Sequence, residues 1–121
     1  MNTVANPDAI DVQTYSLLQE LMGDDGFQEI INVFREDTLR SVEHLAQAIQ
    51  HEQSDVVGGI CHRLKSSSKL VGALELADLV TELEHYRQHH DTARAQRIQT
   101  AIQQELERVI DWLDQQLVQA A

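Results

Sequence analysis

Apolar residues recur at steps of three and four along most of this chain, and this spacing constrains the fold more than any other feature. A helix turns about 100° per residue, so residues spaced in this way share one face. Phe27, Ile31, Phe34, Val42 and Ile49 belong to the longest series. The series together predict four long helices, over about 25–51, 54–71, 73–89 and 92–119.

A further short helix is predicted before the first long one. Asp8 or Asp11 can cap its start, and it should end at Met22 because the segment Gly23-Asp24-Asp25-Gly26 interrupts the pattern. No alternating run of β-branched residues predicts a strand anywhere in the chain.

Residue types at the remaining helix ends fit the same division. Ser54 is predicted to cap the second long helix and Gly72 to end it, since serine accepts from free N–H groups and glycine adopts positive φ. Asp91 or Thr92 is predicted to begin the last helix.

Short connections between long amphipathic helices favour antiparallel neighbours. We therefore expect an all-α fold, an antiparallel up-down four-helix bundle with the short N-terminal helix across one end. The 121 residues fit a single domain, 1–121, with residues 1–7 flexible. A monomer is expected, because one bundle buries its own apolar faces.

Charge and the absence of targeting signals narrow the class of function. A formal net charge of -11 argues against a nucleic-acid surface, which needs clustered Lys and Arg. Neither a signal peptide nor a membrane span of ~20 apolar residues is visible, so a soluble cytoplasmic protein is expected. The single cysteine, Cys61, lies on the apolar face about 100° away from His62, and a core role is favoured over a Cys-His pair.

His62 is the candidate functional residue of the predicted helix over 54–71. It lies about 140° from the centre of the apolar face and should be exposed. Gly58 and Gly59 stand one turn before it, although each glycine costs a helix roughly 1 kcal/mol relative to alanine. Bare backbone at this point suggests that a large partner approaches the imidazole.

The only two lysines of the chain, Lys65 and Lys69, follow His62 within two turns and on its side of the helix. They form a local cationic patch on an anionic protein. An exposed imidazole beside ammonium groups can accept a phosphoryl group, because the ring nitrogen is a nucleophile and the lysines offset the developing charge.

The segment from His62 to Ser68, His-Arg-Leu-Lys-Ser-Ser-Ser, followed by Gly72, resembles the signature H-x-L-K-G-S-x-x-x-x-G of histidine-containing phosphotransfer (HPt) domains. Ser66 stands where most members of the family have glycine, and it is small enough to preserve access. The resemblance continues into the next predicted helix, which has the leucine-rich pattern of the family ending in Leu-Glu: Leu76, Leu79, Leu83 and Glu84.

The resemblance implies a phosphorelay intermediate. His62 would take a phosphoryl group from an aspartyl phosphate on a receiver domain and pass it to another receiver, with Lys65 stabilising charge. The partners implied are receiver domains of response regulators or hybrid histidine kinases, which would supply Mg²⁺. This chain would bind no cofactor and would have no kinase activity. Glu84 would either orient the imidazole or remain a solvated carboxylate.

Two alternatives remain open at this level. The first is a helical adaptor that binds a receiver or kinase without being phosphorylated. The second is a metal-binding bundle, since His85 and His89 are one turn apart, although a solvated helix end is the favoured interpretation of that pair. Arg63 points to the opposite flank of the apolar face and is expected to be structural or peripheral.

Overall fold

The computed structural model describes residues 9–120, and the side chains of residues 9–117. A cap at Asp8 and the predicted flexibility of residues 1–7 lie outside the described residues. Residues 9–120 contain no strand and fold into helices. These helices are α1 (Val12–Gln50), α2 (Ser54–Val71), α3 (Leu74–Glu84), α4 (Tyr86–His89) and α5 (Thr92–Ala120).

Helix α1 is divided by a kink at Gly23, whose backbone leaves the helical region with φ 73° and ψ 163°. The predicted break is therefore present, but a single residue makes it and not the four residues that were expected. Of the two caps predicted for this helix, Asp11 is confirmed, because its carboxylate accepts a hydrogen bond from the Thr14 amide at 3.2 Å.

The long part of α1 (24–50), α2, α3 with α4, and α5 form the bundle. Contacts link α1 to α2, α2 to α3, α3 to α5 and α5 back to α1, so the four units surround one core. The connections are only a few residues long, which makes consecutive helices antiparallel. Fully buried side chains from every unit fill the centre, among them Leu45, Leu64, Leu83 and Ile102. The predicted up-down bundle is confirmed.

The short first part of α1 lies at one end of this bundle, as predicted. The Asp11 amide donates to the carbonyl oxygen of Gly72 at 2.7 Å, in the turn between α2 and α3. Tyr15 packs edge-on against Phe27 and Trp112, with ring centroids 4.8 Å apart in both pairs.

Gly72 ends α2 in the left-handed conformation, with φ 92°, as the sequence predicts. A second reason for glycine is visible only in the fold, because a Cβ at this position would lie 2.8 Å from the carbonyl oxygen of Asp11. Gly72 thus serves both the end of α2 and the attachment of the N-terminal segment.

Two expectations about helix ends need correction. Ser54 does not cap α2: it is the first helical residue, and the capping position belongs to Gln53, which makes no side-chain cap. The helix predicted over 73–89 is divided at His85 into α3 and α4. The predicted start of the last helix is confirmed, since the Asp91 carboxylate accepts from the Arg94 amide at 3.1 Å.

Candidate functional site

His62 lies near the middle of α2 on its outer face, and its side chain is 71% exposed. The residues beside it that face inward, Cys61 and Leu64, are fully buried. The amphipathic pattern of α2 therefore fixes the backbone of His62 against the core while leaving its ring in solvent, as the sequence predicts.

A single carboxylate, from Glu84 on the last turn of α3, faces both His62 and Lys65. Its Oε2 lies 3.5 Å from Nδ1 of the imidazole, and its Oε1 lies 3.5 Å from the Lys65 ammonium. These separations are long for hydrogen bonds, so the contacts are mainly electrostatic. Glu84 is only 19% exposed, which places it against the imidazole and not free in solvent.

The position of Glu84 distinguishes the two nitrogens of the His62 ring. A carboxylate beside Nδ1 favours the tautomer that carries its proton there, because the N–H dipole points at the negative charge. The lone pair then lies on Nε2, the nitrogen on the other side of the ring from Glu84. This arrangement provides a nucleophile that an incoming group can reach.

The two glycines before His62 have different surroundings. Gly59 is exposed, and a Cβ added to it would meet nothing within 4 Å. Gly58 is buried, and a Cβ added there would overlap the guanidinium of Arg87. The expectation that both glycines present bare backbone to a partner is therefore wrong for Gly58, which makes room for a side chain of α4.

Arg87 is the residue near the site that the sequence reasoning missed. Because α3 and α4 run antiparallel to α2, Glu84 lies beside Lys65, and Arg87, three residues later, lies beside Gly58. The position of Arg87, three residues after Glu84, could have indicated that it lies near the site, but only once the packing of α3 on α2 was known.

The thiol of Cys61 is not part of this chemistry. Burial, together with the negative charge of Glu84 and against the opposing effect of Arg87, raises its pKa to about 12. The thiol therefore stays protonated at neutral pH and is a poor nucleophile. This agrees with the core role expected for it.

The other residues singled out in α2 lie around His62. Ser66 and Lys69 are exposed on its C-terminal side. Arg63 points towards α1, where it donates to the Asp37 carboxylate at 2.7 Å and to the Ser41 hydroxyl at 3.0 Å. Its expected structural position on the opposite flank is confirmed.

His89 is the last residue of α4, and His85 precedes its first residue. His89 Nδ1 accepts a hydrogen bond from the Asp91 amide at 2.9 Å, so this nitrogen serves the turn into α5. Within the side chains that the structure describes, no three His, Cys, Asp or Glu residues are grouped so that they could hold a metal ion.

An apolar groove of about 420 Å³ lies between α1 and α2, on the Arg63 flank of the histidine helix. Its rim carries large apolar side chains that are about half exposed: Met22, Val33 and Leu70. We call it the α1–α2 groove. Contiguous exposed apolar surface of this kind is typical of a protein-binding site.

Residues 29–112 match the Hpt domain family. The chain belongs to this family. Its fold resembles that of histidine-containing phosphotransfer protein B from Pseudomonas aeruginosa PAO1, with a TM-score of 0.82 and 22% identity over 91% of this chain and 96% of that one. A histidine-containing phosphotransfer protein from maize is similar, with a TM-score of 0.81 and 22% identity over 93% of this chain and 91% of that one. Comparison with curated proteins finds no match.

Membership of the Hpt family makes this protein a phosphorelay intermediate in two-component signalling. Proteins of this class carry phosphoryl groups and interact with receiver domains. None of the helices within residues 9–120 has the length and hydropathy needed to cross a membrane.

Proposed function

We propose that His62 is the phosphorylated residue, which takes a phosphoryl group from an aspartyl phosphate on one receiver domain and gives it to an aspartate on another. The observation that carries the proposal is the 71% exposed imidazole whose Nδ1 faces Glu84, which leaves Nε2 open. Such a nitrogen can enter the active site of a second protein, and a buried one could not.

The transfer conserves atoms and charge without any further reactant. The lone pair of Nε2 attacks phosphorus, the bond from phosphorus to the aspartyl oxygen breaks, and its electrons return to the aspartate as a carboxylate. The proton on Nδ1 stays beside Glu84, which offsets the positive charge that develops on the ring. The reverse reaction uses the same steps with the second receiver.

Lys65 is proposed to stabilise the oxygens of the phosphoryl group during transfer. Its ammonium faces the same Glu84 carboxylate as the imidazole and is therefore close to the reacting ring. The receiver would supply Mg²⁺ and most of the catalytic groups. This chain would supply the nucleophile, with no cofactor and no kinase activity of its own. We propose that it acts as a monomer in the cytoplasm.

The receiver is proposed to dock over His62 and the α1–α2 groove together. The exposed apolar rim of the groove would be covered in the complex, while Gly59 and Ser66 leave space for close approach near the ring. Lys69 at the edge would meet acidic groups that surround the receiver's phosphorylation site.

The decisive experiment offers a ³²P-labelled receiver phosphate and Mg²⁺ to the wild-type protein, to His62→Gln and to His85→Gln. We expect a label on the wild type that is stable to base and labile to acid. His62→Gln should abolish it, and His85→Gln, which alters another exposed histidine, should keep it. Label that persists in His62→Gln would contradict the proposed site, and stable binding without label would favour the adaptor.

A second measurement addresses the carrier role. Labelled ATP and Mg²⁺ without any other protein should leave the wild type unlabelled, because phosphoryl groups should arrive only from a partner. Label from ATP alone that requires His62 would show that the chain is a kinase.

A further inference from the structure

The guanidinium of Arg87 lies against α2 at Gly58, one helical turn before His62. Residues four apart share a helix face and are about 6 Å from each other. Side chains on a helix also lean towards its N-terminus, so the imidazole of His62 leans over the turn that Gly58 occupies. The guanidinium and the imidazole therefore border the same patch of surface.

A phosphoryl group on His62 would need an unopposed positive charge beside its oxygens, and Arg87 can supply one. Lys65 faces the same carboxylate as the ring, and Glu84 already opposes its charge. A phosphoryl group on Nε2 would add about two negative charges beside that carboxylate. Arg87 forms no ion pair with any of the described side chains and is exposed, so its donors are free to turn to a new anion.

We propose that Arg87 is a further residue of the phosphoryl site, whose guanidinium binds the phosphoryl oxygens on Nε2 of His62. The proposal rests on the proposed function of His62. A guanidinium presents two parallel N–H donors, a geometry suited to two oxygens of one phosphoryl group, whereas Lys65 offers a single point charge. Gly58 has its place in this site because any larger residue would displace the guanidinium.

The test uses phosphoramidate, a small donor that needs no docking surface. Nε2 of His62 attacks phosphorus, the phosphorus–nitrogen bond breaks, and ammonia leaves. Arg87→Gln should slow labelling by about tenfold, and Arg87→Lys should restore part of the rate because it keeps the charge without the fork. Arg97→Gln, which removes an exposed arginine from α5, should behave as the wild type.

A spectroscopic readout separates binding of the phosphoryl group from a merely structural role. The ³¹P resonance of the phosphorylated protein follows the titration of the phosphoryl oxygens. A guanidinium in contact favours their dianion, so Arg87→Gln should raise the midpoint of this titration by about half a pH unit. An unchanged midpoint together with an unchanged labelling rate would overturn the proposal.

The two glycines provide matched variants. Gly58→Ala should displace the guanidinium and reproduce the effect of Arg87→Gln, and it should add little when both changes are combined. Gly59→Ala meets open space and should leave the reaction with phosphoramidate unchanged. If Gly58→Ala slowed transfer only from a receiver and Arg87→Gln also left the reaction with phosphoramidate unchanged, Gly58 would serve partner approach and the role of Arg87 would be refuted.

Failure of this proposal can be told apart from failure of the proposed function. Equal labelling of the wild type and Arg87→Gln, absent in His62→Gln, would refute Arg87 and keep His62. Labelling that survives in His62→Gln would refute the function itself. Urea unfolding of each variant identifies any change in rate that reflects lost stability.

Discussion

The two flanks of α2 each present a cation to a carboxylate, but their geometry differs. On the flank facing α1, the Arg63 guanidinium donates to Asp37 at 2.7 Å and to Ser41 at 3.0 Å. These are short, directed hydrogen bonds, and they occupy both terminal nitrogens of the guanidinium. The pair attaches one helix to the next.

On the flank facing α3, Glu84 is shared between His62 and Lys65, at 3.5 Å from each. The longer, shared contact does not fix the Lys65 ammonium in one place, so it can turn towards an incoming anion. The comparison teaches that a cation can be close to a carboxylate for two different reasons. The short contacts of Arg63 attach one helix to another, whereas the longer, shared contacts of Glu84 leave Lys65 able to reorient beside the exposed imidazole.

The largest effect should come from a matched pair of charge removals on α2. Lys65→Gln should slow labelling by phosphoramidate, which needs no docking surface, by about 30-fold, since it removes a charged donor to the group in transit. Arg63→Gln should change the same rate by less than about twofold, because its partners lie on α1. Labelling kinetics check both variants, and equal losses would remove the distinction between the flanks.

A smaller effect is expected from the carboxylates. Glu84→Gln should slow transfer by about tenfold, because the ring loses the carboxylate that orients it and that offsets the positive charge developing on it during transfer. Asp37→Asn is the matched control on the other flank, and with phosphoramidate as donor, which needs no docking surface, it should be labelled at the wild-type rate. Rates from single-turnover labelling decide the point: a normal rate for Glu84→Gln would mean that the carboxylate only holds Lys65.

In the free energy of unfolding, the Arg63 flank should contribute more than the Lys65 flank, which is the reverse of the order expected for transfer rates. A double-mutant cycle for Arg63 and Asp37 should give a coupling of about 0.5–1 kcal/mol in the free energy of unfolding, as expected for a partly exposed pair. The cycle for Lys65 and Glu84 should give a coupling near zero, since their contact is long. Urea unfolding provides both values, and a larger coupling on the α3 flank would contradict the assignment.

The smallest effect should come from Lys69, which lies farther along α2 from the ring. Lys69→Gln should slow transfer from a receiver by about twofold at low salt, through the association rate, and the difference should fade as ionic strength rises. The reaction with phosphoramidate should be unaffected. An equal loss with the small donor would place Lys69 at the reacting group.

The sequence predicts the architecture and the exposure of His62 because both depend on periodicity within single helices. The spacing of apolar residues determines which face of α2 is buried, and residue types at Asp11, Gly72 and Asp91 locate helix ends through local hydrogen bonds and positive φ. It fails at Ser54, because Gln53 takes the capping position without a side-chain bond.

What the sequence could not provide depends on the contact between α2 and the helices that follow it. The alternatives for Glu84 were separable only when α3 was placed beside His62. The different roles of Gly58 and Gly59 depend on which of the two lies under Arg87, and a single helix contains no information on that. The register between packed helices is a tertiary property.

The place of His62 in an unbroken helix has a consequence for signal duration. Amide groups in a helix interior are already bonded to carbonyls of the preceding turn, so the backbone around the ring offers no free N–H groups to stabilise a phosphoryl group on His62 while water attacks it. Spontaneous loss to inorganic phosphate should therefore be slow. The phosphorylated protein can then persist until it meets its next acceptor, and the rate of that encounter would limit the rate of the relay.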